Sequence, residues 1–191
     1  MVDFFVQGGG FMWPILIALL FGLAIIGERA YSLINSSSDT NQFFEDVKTI
    51  YNDSGKEQAI EFCENSPGPV ASIFYAGLSK MQKSKEEIEK AVQNAGGLEM
   101  AFLEKNMIWI NSVITIAPML GFTGTVVGMI KAFEDIKMAN DISPAVVAGG
   151  ISQALLTTAF GLIVAMIMQV AQNFFVSMID KLILDMEEQS I

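Results

Sequence analysis

The chain has 191 residues, 52% of them hydrophobic and 17% charged, with no histidine, one cysteine and a formal net charge of −10. An ordinary soluble domain carries about 25% charged residues, so charge is scarce here. The composition excludes a disulfide framework and the His/Cys zinc sites, and it removes histidine as a general base. The acidic balance argues against nucleic acid, whose phosphates demand Lys/Arg clusters. Cys63, in a polar stretch with no histidine to activate it, reads as an ordinary small residue.

The missing charge is concentrated in three runs. Residues 4–27, 106–130 and 142–179 contain no Asp, Glu, Lys or Arg over 24, 25 and 38 positions. A helix needs about 20 apolar residues to cross a bilayer. The fold class expected is therefore an all-α membrane protein with three transmembrane helices. Residues 1–12 form an N-terminal segment, of which 2–7 reads as a short amphipathic piece on the membrane surface. The first span occupies 13–34, with Pro14 in its first turn. A secretory leader is the competing reading, and the absence of basic residues before the apolar run argues against it.

Residues 35–105 read as a helical region outside the membrane. Phe43, Phe44, Val47, Ile50 and Tyr51 recur at helical spacing, and residues 52–55 (NDSG) signal a turn. A short helix follows from Lys56 to Glu64. Residues 66–69 (SPGP) break it, and another runs from Val70 to Met81. Ser84 with Glu87 makes a capping box. From there the pattern predicts a helix continuing without a stop into the second span, with Gly96-Gly97 as a weak point.

The second span is placed at 106–131, a loop at 132–143, the third span with an extension at 144–179, and a tail at 180–191. Thirty-eight uncharged residues exceed the bilayer, since at about 1.5 Å per residue they reach about 57 Å against roughly 30 Å of hydrocarbon. One continuous helix leaving the membrane is expected. Arg29 and Lys105 flank the 35–105 region, whereas no Lys or Arg precedes the first span. The positive-inside rule then puts 35–105 and the C-terminus in the cytoplasm, and the N-terminus and the 132–143 loop outside.

The spans carry polar stripes. Ala117, Gly121, Gly124/Thr125 and Gly128 share one face. Ala154, Thr158, Gly161, Ala165, Gln169 and Gln172 share another. Gly121, Gly124, Gly128 and Gly161 read as packing positions that let backbones approach. Thr125, Thr157, Thr158 and Gln153 are the candidates for lining a shared cavity, although a threonine can satisfy itself on its own helix. None of the three uncharged runs contains a carboxylate, so a proton path through this chain alone lacks a titrating group. An intramembrane hydrolase would need a nucleophile with a base at membrane depth; none is present, and no enzyme is expected.

Residues 117–130 (APMLGFTGTVVGMI) resemble the "APxLGLxGTVxGM" segment of the ExbB/TolQ/MotA proton-channel family. Residues 149–162 (GGISQALLTTAFGL) resemble its "GIxEALxTTAxGL" segment, and Gly27-Glu28-Arg29 with Leu33 resembles the close of its first span. The resemblance is nearest to ExbB/TolQ. It implies a homopentamer in the bacterial inner membrane, sealed by lipids, around a dimeric single-span partner of the ExbD/TolR type with an intramembrane aspartate. It implies that proton passage drives rotation, with work handed to TonB-like or TolA-like proteins. By position, Thr125 and Thr158 match the family's pore-lining threonines, while Gln153 stands where several members have glutamate. No cofactor or metal is implied. A scaffold that only anchors a partner is the alternative reading.

Overall fold

A computed structural model describes residues 2–36, 40–139 and 144–189. All its regular structure is helical: α1 (Val2–Gln7), α2 (Met12–Ser36), α3 (Thr40–Ser54), α4 (Lys56–Asn65), α5 (Pro69–Ser79), α6 (Lys85–Leu103), α7 (Met107–Ala139) and α8 (Pro144–Gln189). Three stretches are long and apolar enough to cross a membrane: Met12–Ile34, one within Lys85–Met138, and Val147–Leu184.

The chain divides into two units. The first holds the residues up to Gly27 with Asn106–Asn173, and the second holds Glu28–Lys105 with the residues from Phe174 on. In the first unit, α7 and α8 pack closely. Their buried positions are small or lean: Ala117, Ala132 and Ala154, with Ile110, Val113, Val164 and Met168 at either side. α2 joins them at Gly22, where a Cβ would lie 2.5 Å from the Met168 sulfur and 3.5 Å from Val113. At its start Trp13 meets Phe5 of α1 edge-on, with ring centres 5.4 Å apart.

The second unit has its own core. Phe43 stacks on Phe62 at 5.5 Å and meets Phe74 at 5.9 Å, joining α3, α4 and α5. Val47, Ala59, Cys63, Val70 and Ile73 are buried with them. Burial pushes the Cys63 thiol from 9.0 to about 11, so it stays protonated and unreactive at neutral pH. Phe175, Ile179 and Leu182 of α8 recur at helical spacing and are buried in this unit. These three have protein partners within the chain, whereas Phe174, Val176 and Leu184 are exposed.

Several boundaries follow the expected chemistry. Pro14 lies in the first turn of α2. Gly55, with φ +91°, separates α3 from α4. The Ser84 hydroxyl accepts the Glu87 amide at 3.3 Å and the Glu87 carboxylate accepts the Ser84 amide at 3.4 Å, completing the capping box.

Other boundaries differ. The helix starting at Ser84 does not run into the second span. Gly96-Gly97 is passed without a break, and α6 ends at Leu103 instead. Asn106 takes φ +66°, a conformation that asparagine tolerates better than most residues. Residues 132–139, expected in a loop, continue α7, since no Gly or Pro intervenes and Lys137 favours the negative end of the helix dipole. Residues 140–143 lie outside the described residues. The expected tail from 180 is helical to Gln189.

Arg29 makes the end of α6 possible. It is 1% exposed. Its guanidinium donates to both carboxylate oxygens of Glu28, at 2.7 and 2.5 Å, and to the carbonyls of Phe102 and Leu103 at 3.5 Å. Both carbonyls belong to the last turn of a helix, where internal donors run out; the Phe102 carbonyl also accepts the Lys105 amide at 3.2 Å, and the Leu103 carbonyl is met by the guanidinium. Arg29→Met leaves the Leu103 carbonyl without its donor and should destabilise the protein by about 1–3 kcal/mol. Thermal unfolding in mild detergent checks this, and an unchanged midpoint contradicts it.

Candidate functional site

The small residues of α7 and α8 face one another in an antiparallel series. A Cβ on Gly150 would collide with Ala132, and one on Gly128 would lie 3.2 Å from the Ala154 Cβ. A Cβ on Gly124 would lie 2.7 Å from the Thr157 hydroxyl, and one on Gly121 2.8 Å from the Thr157 carbonyl. A Cβ on Gly161 would lie 2.5 Å from the Ala117 carbonyl. Backbone therefore meets backbone along this seam, as small residues permit in membrane helices.

Three hydroxyls lie in the seam. Thr157 donates to its own helix at the Ala154 carbonyl, 2.8 Å away, with the Gly121 carbonyl of α7 at 3.3 Å. Thr158 reaches across to the Gly121 carbonyl at 3.1 Å. Thr125 reaches the other way to the Ala154 carbonyl at 3.0 Å, with Gly121 at 3.3 Å. Thr125 and Thr158 also hydrogen-bond each other.

These contacts separate the three from other polar residues of α7. Ser112, Thr115 and Thr123 each donate to the carbonyl four residues back, at 2.8, 3.1 and 2.8 Å. That is self-satisfaction. Thr125 and Thr158 cross to the facing helix.

Each hydroxyl has one proton, so the pair has two arrangements. In one, Thr158 donates to Gly121 and Thr125 donates to Thr158. In the other, Thr125 donates to Ala154 and Thr158 donates to Thr125. Both leave lone pairs open, and both convert by turning hydroxyls. Thr157 is 1% exposed, whereas Thr125 and Thr158 are half-buried. An outside group reaches only the latter two, and it finds either a donor or an acceptor there. Nothing in the cluster ionises, so it can pass a proton but not keep one.

Gln153 lies elsewhere. Its amide nitrogen covers Gly9, at φ +73°, where a Cβ would collide with it. The structure thus brings Thr125, Thr157 and Thr158 together with Gly121, Gly124, Gly128 and Gly161, and sets Gln153 against the glycine turn before α2. The carbonyls of Gly121 and Ala154 are the acceptors that sequence reasoning missed. Their only signal was position, with Gly121 four residues before Thr125 and Ala154 three before Thr157. No cluster of His, Cys, Asp or Glu suited to a metal occurs among the described residues.

Three membrane-length helices with a hydroxyl cluster in a glycine-lined seam define an integral membrane protein whose polar chemistry lies within its spans. The model of the MotA/TolQ/ExbB proton channel family matches residues 65–188, and the chain belongs to this family. An ExbB-like biopolymer transport protein of Synechocystis sp. is 29% identical over 173 residues, covering 90% of this chain and 82% of the relative. An ExbB homologue of Methanothermobacter thermautotrophicus is 28% identical, covering 94% of this chain and 64% of its own length. The Tol-Pal system protein TolQ of Pseudomonas aeruginosa is 28% identical over 125 residues, 58% of this chain and 54% of that one.

The seam yields a stability test. Gly161→Ala places its Cβ against the Ala117 backbone, which cannot swing aside, and should destabilise the protein by about 1–3 kcal/mol. Gly96→Ala, with open space around its Cβ, should stabilise it by up to about 1 kcal/mol through helix propensity. Unfolding midpoints of the two variants moving in the same direction would contradict the assigned seam.

Proposed function

We propose that the chain is the proton-channel subunit of an ion-driven motor of the ExbB–ExbD or TolQ–TolR type. It converts proton motive force into mechanical work on the cell envelope and is not an enzyme. Five copies enclose a dimeric single-span partner whose intramembrane aspartate supplies the acid this chain lacks. The work passes to a TonB-like or TolA-like protein. The complex sits in the inner membrane, with the N-terminus periplasmic, the helical region 35–105 and the C-terminus cytoplasmic, and the 132–143 segment outside.

The observation that carries this reading is the crossed pair Thr125–Thr158. Its stabilising value is small: hydrogen bonds between membrane helices average about 0.6 kcal/mol. Three buried or half-buried hydroxyls are thus a poor means of holding α7 on α8, which the glycine seam already achieves. They are well suited to meeting a carboxyl group that alternates between protonated and ionised forms. The protonated acid donates to a threonine oxygen, and the carboxylate accepts from a hydroxyl turned outward. Family membership and the ExbB and TolQ relatives support the same role.

Gln153 favours a second reading, a scaffold that conducts nothing. It cannot titrate, and it faces Gly9 rather than the threonines. Proton flux separates the two. The complex purified from its native membrane is placed in liposomes and driven by a pH gradient. Thr158→Val keeps the shape and removes the hydroxyl; flux should fall tenfold or more with assembly intact, and Thr158→Ser should retain most of it. Unchanged flux in Thr158→Val contradicts the role given to the pair.

A further inference from the structure

The second unit holds a cavity of about 460 Å³ beside the last turns of α2. That lies within the range of about 300–1,000 Å³ in which small-ligand pockets fall. Its walls come from the end of α2, from residues 67–69 with the start of α5, and from the end of α6. Two of the lining residues are carboxylates, Glu28 and Glu99. Arg29 donates to both oxygens of Glu28. Glu99 is half-buried, and no cation among the described residues pairs with it. A carboxylate drawn partly out of water without a counter-charge is destabilising. Glutamine would serve the fold at least as well.

The rest of the lining defines what would satisfy it. Residues 67–69 read Pro-Gly-Pro, and proline has no N–H to offer. The Ser36 hydroxyl gives its proton to the Ser32 carbonyl at 2.9 Å. Donors are therefore scarce against acceptors, which is poor for a phosphate or carboxylate and good for an ammonium or guanidinium. Tyr31 and Phe102 stand 77% and 49% exposed in the same walls. A cation within about 6 Å of such a ring is attracted by its face. A Lys or Arg side chain brings both parts required, an apolar stem and a charged head made only of donors.

We propose that this cavity docks a Lys or Arg side chain from the cytoplasmic flank of a single-span membrane protein, with Glu99 taking the charge and Tyr31 and Phe102 the stem. Membrane-spanning chains keep their basic residues close to the span on the cytoplasmic side. The cavity lies beside the end of a membrane-length stretch, Met12–Ile34, so a helix running along α2 brings such a flank to it. The inference takes from the proton-channel reading only the cytoplasmic placement of residues 35–105. It concerns which chain attaches, not what is conducted.

The test uses the full chain in phosphatidylcholine vesicles, whose lipids carry no net charge to hold a basic peptide. The probes are two synthetic single-span peptides, one ending in lysines and the other in serines at the same positions. Binding is read by energy transfer between labels on chain and peptide. The lysine peptide should bind, and the serine peptide should bind about tenfold more weakly, as the loss of a charge-assisted hydrogen bond implies. Glu99→Gln should weaken the lysine peptide by a similar factor, with its unfolding midpoint unchanged or raised. Tyr31→Ser, at a position too exposed to disturb the fold, should weaken it as well. Glu57→Gln, an exposed carboxylate outside the cavity, should leave binding unchanged. Equal binding of the two peptides overturns the inference, as does undiminished binding in Glu99→Gln. Equal loss in Glu57→Gln overturns it too, because surface charge alone would then explain the attraction. So does a lowered midpoint in Glu99→Gln, which would give the carboxylate a place in the fold. Binding is read whichever way the chain inserts and without proton flux, so failure here counts against the cavity and leaves the channel reading to its own test.

Discussion

The backbones of α7 and α8 come close because each meeting point sets a glycine against backbone or a small side chain of the facing helix. Gly121, Gly124, Gly128, Gly150 and Gly161 leave no room for a Cβ, and Ala117, Ala132 and Ala154 fill the facing positions. In lipid there is little hydrophobic gain from bringing two apolar helices together, so this close fit supplies the attraction. It also sets where the polar groups go. Thr125 and Thr158 reach carbonyls on the opposite helix because the axes are near enough for a short side chain to cross. A larger residue anywhere in the seam would pull the hydroxyls off their acceptors.

That geometry suits the cluster to the exchange proposed for it. Three hydroxyls share two carbonyls and one another, with more acceptor sites than protons. Thr157 is sealed, while Thr125 and Thr158 stay half-open. The proton transfer proposed for it needs an acid beside it, and the uncharged runs 4–27, 106–130 and 142–179 contain none. The proposed partner aspartate fills that need. Arg29, by contrast, is the cation buried most deeply, and it acts on folding: it closes the last turn of α6 and holds Glu28 beside it.

Much of this was legible because it depends on local chemistry. Uncharged runs mark spans whatever surrounds them. Gly55, Pro14 and the Ser84–Glu87 box act within a few residues, and the structure has them where their spacing placed them. The threonines were legible as candidates, since polar residues recurred on one face of each span. What escaped depends on residues distant in sequence. The break at Asn106 goes with carbonyls met by Arg29, seventy-odd positions earlier in the chain. The place of Gln153 against Gly9 follows from how the N-terminal turn packs, which no periodicity encodes. The helical 132–139 segment was misread because charged residues at a span's end look like a loop, although nothing in them stops a helix. The acceptor role of Gly121 and Ala154 belongs to backbone atoms, which sequence patterns do not display.

The account turns on a titrating group supplied from outside the chain. A native mass spectrum of the complex taken from its own membrane in mild detergent tests that most directly. The account predicts five copies of this chain with two copies of a small single-span protein bearing an aspartate within its span. A monomer, or an assembly without an acid-bearing partner, would contradict it, because the hydroxyl cluster would then have no proton to pass.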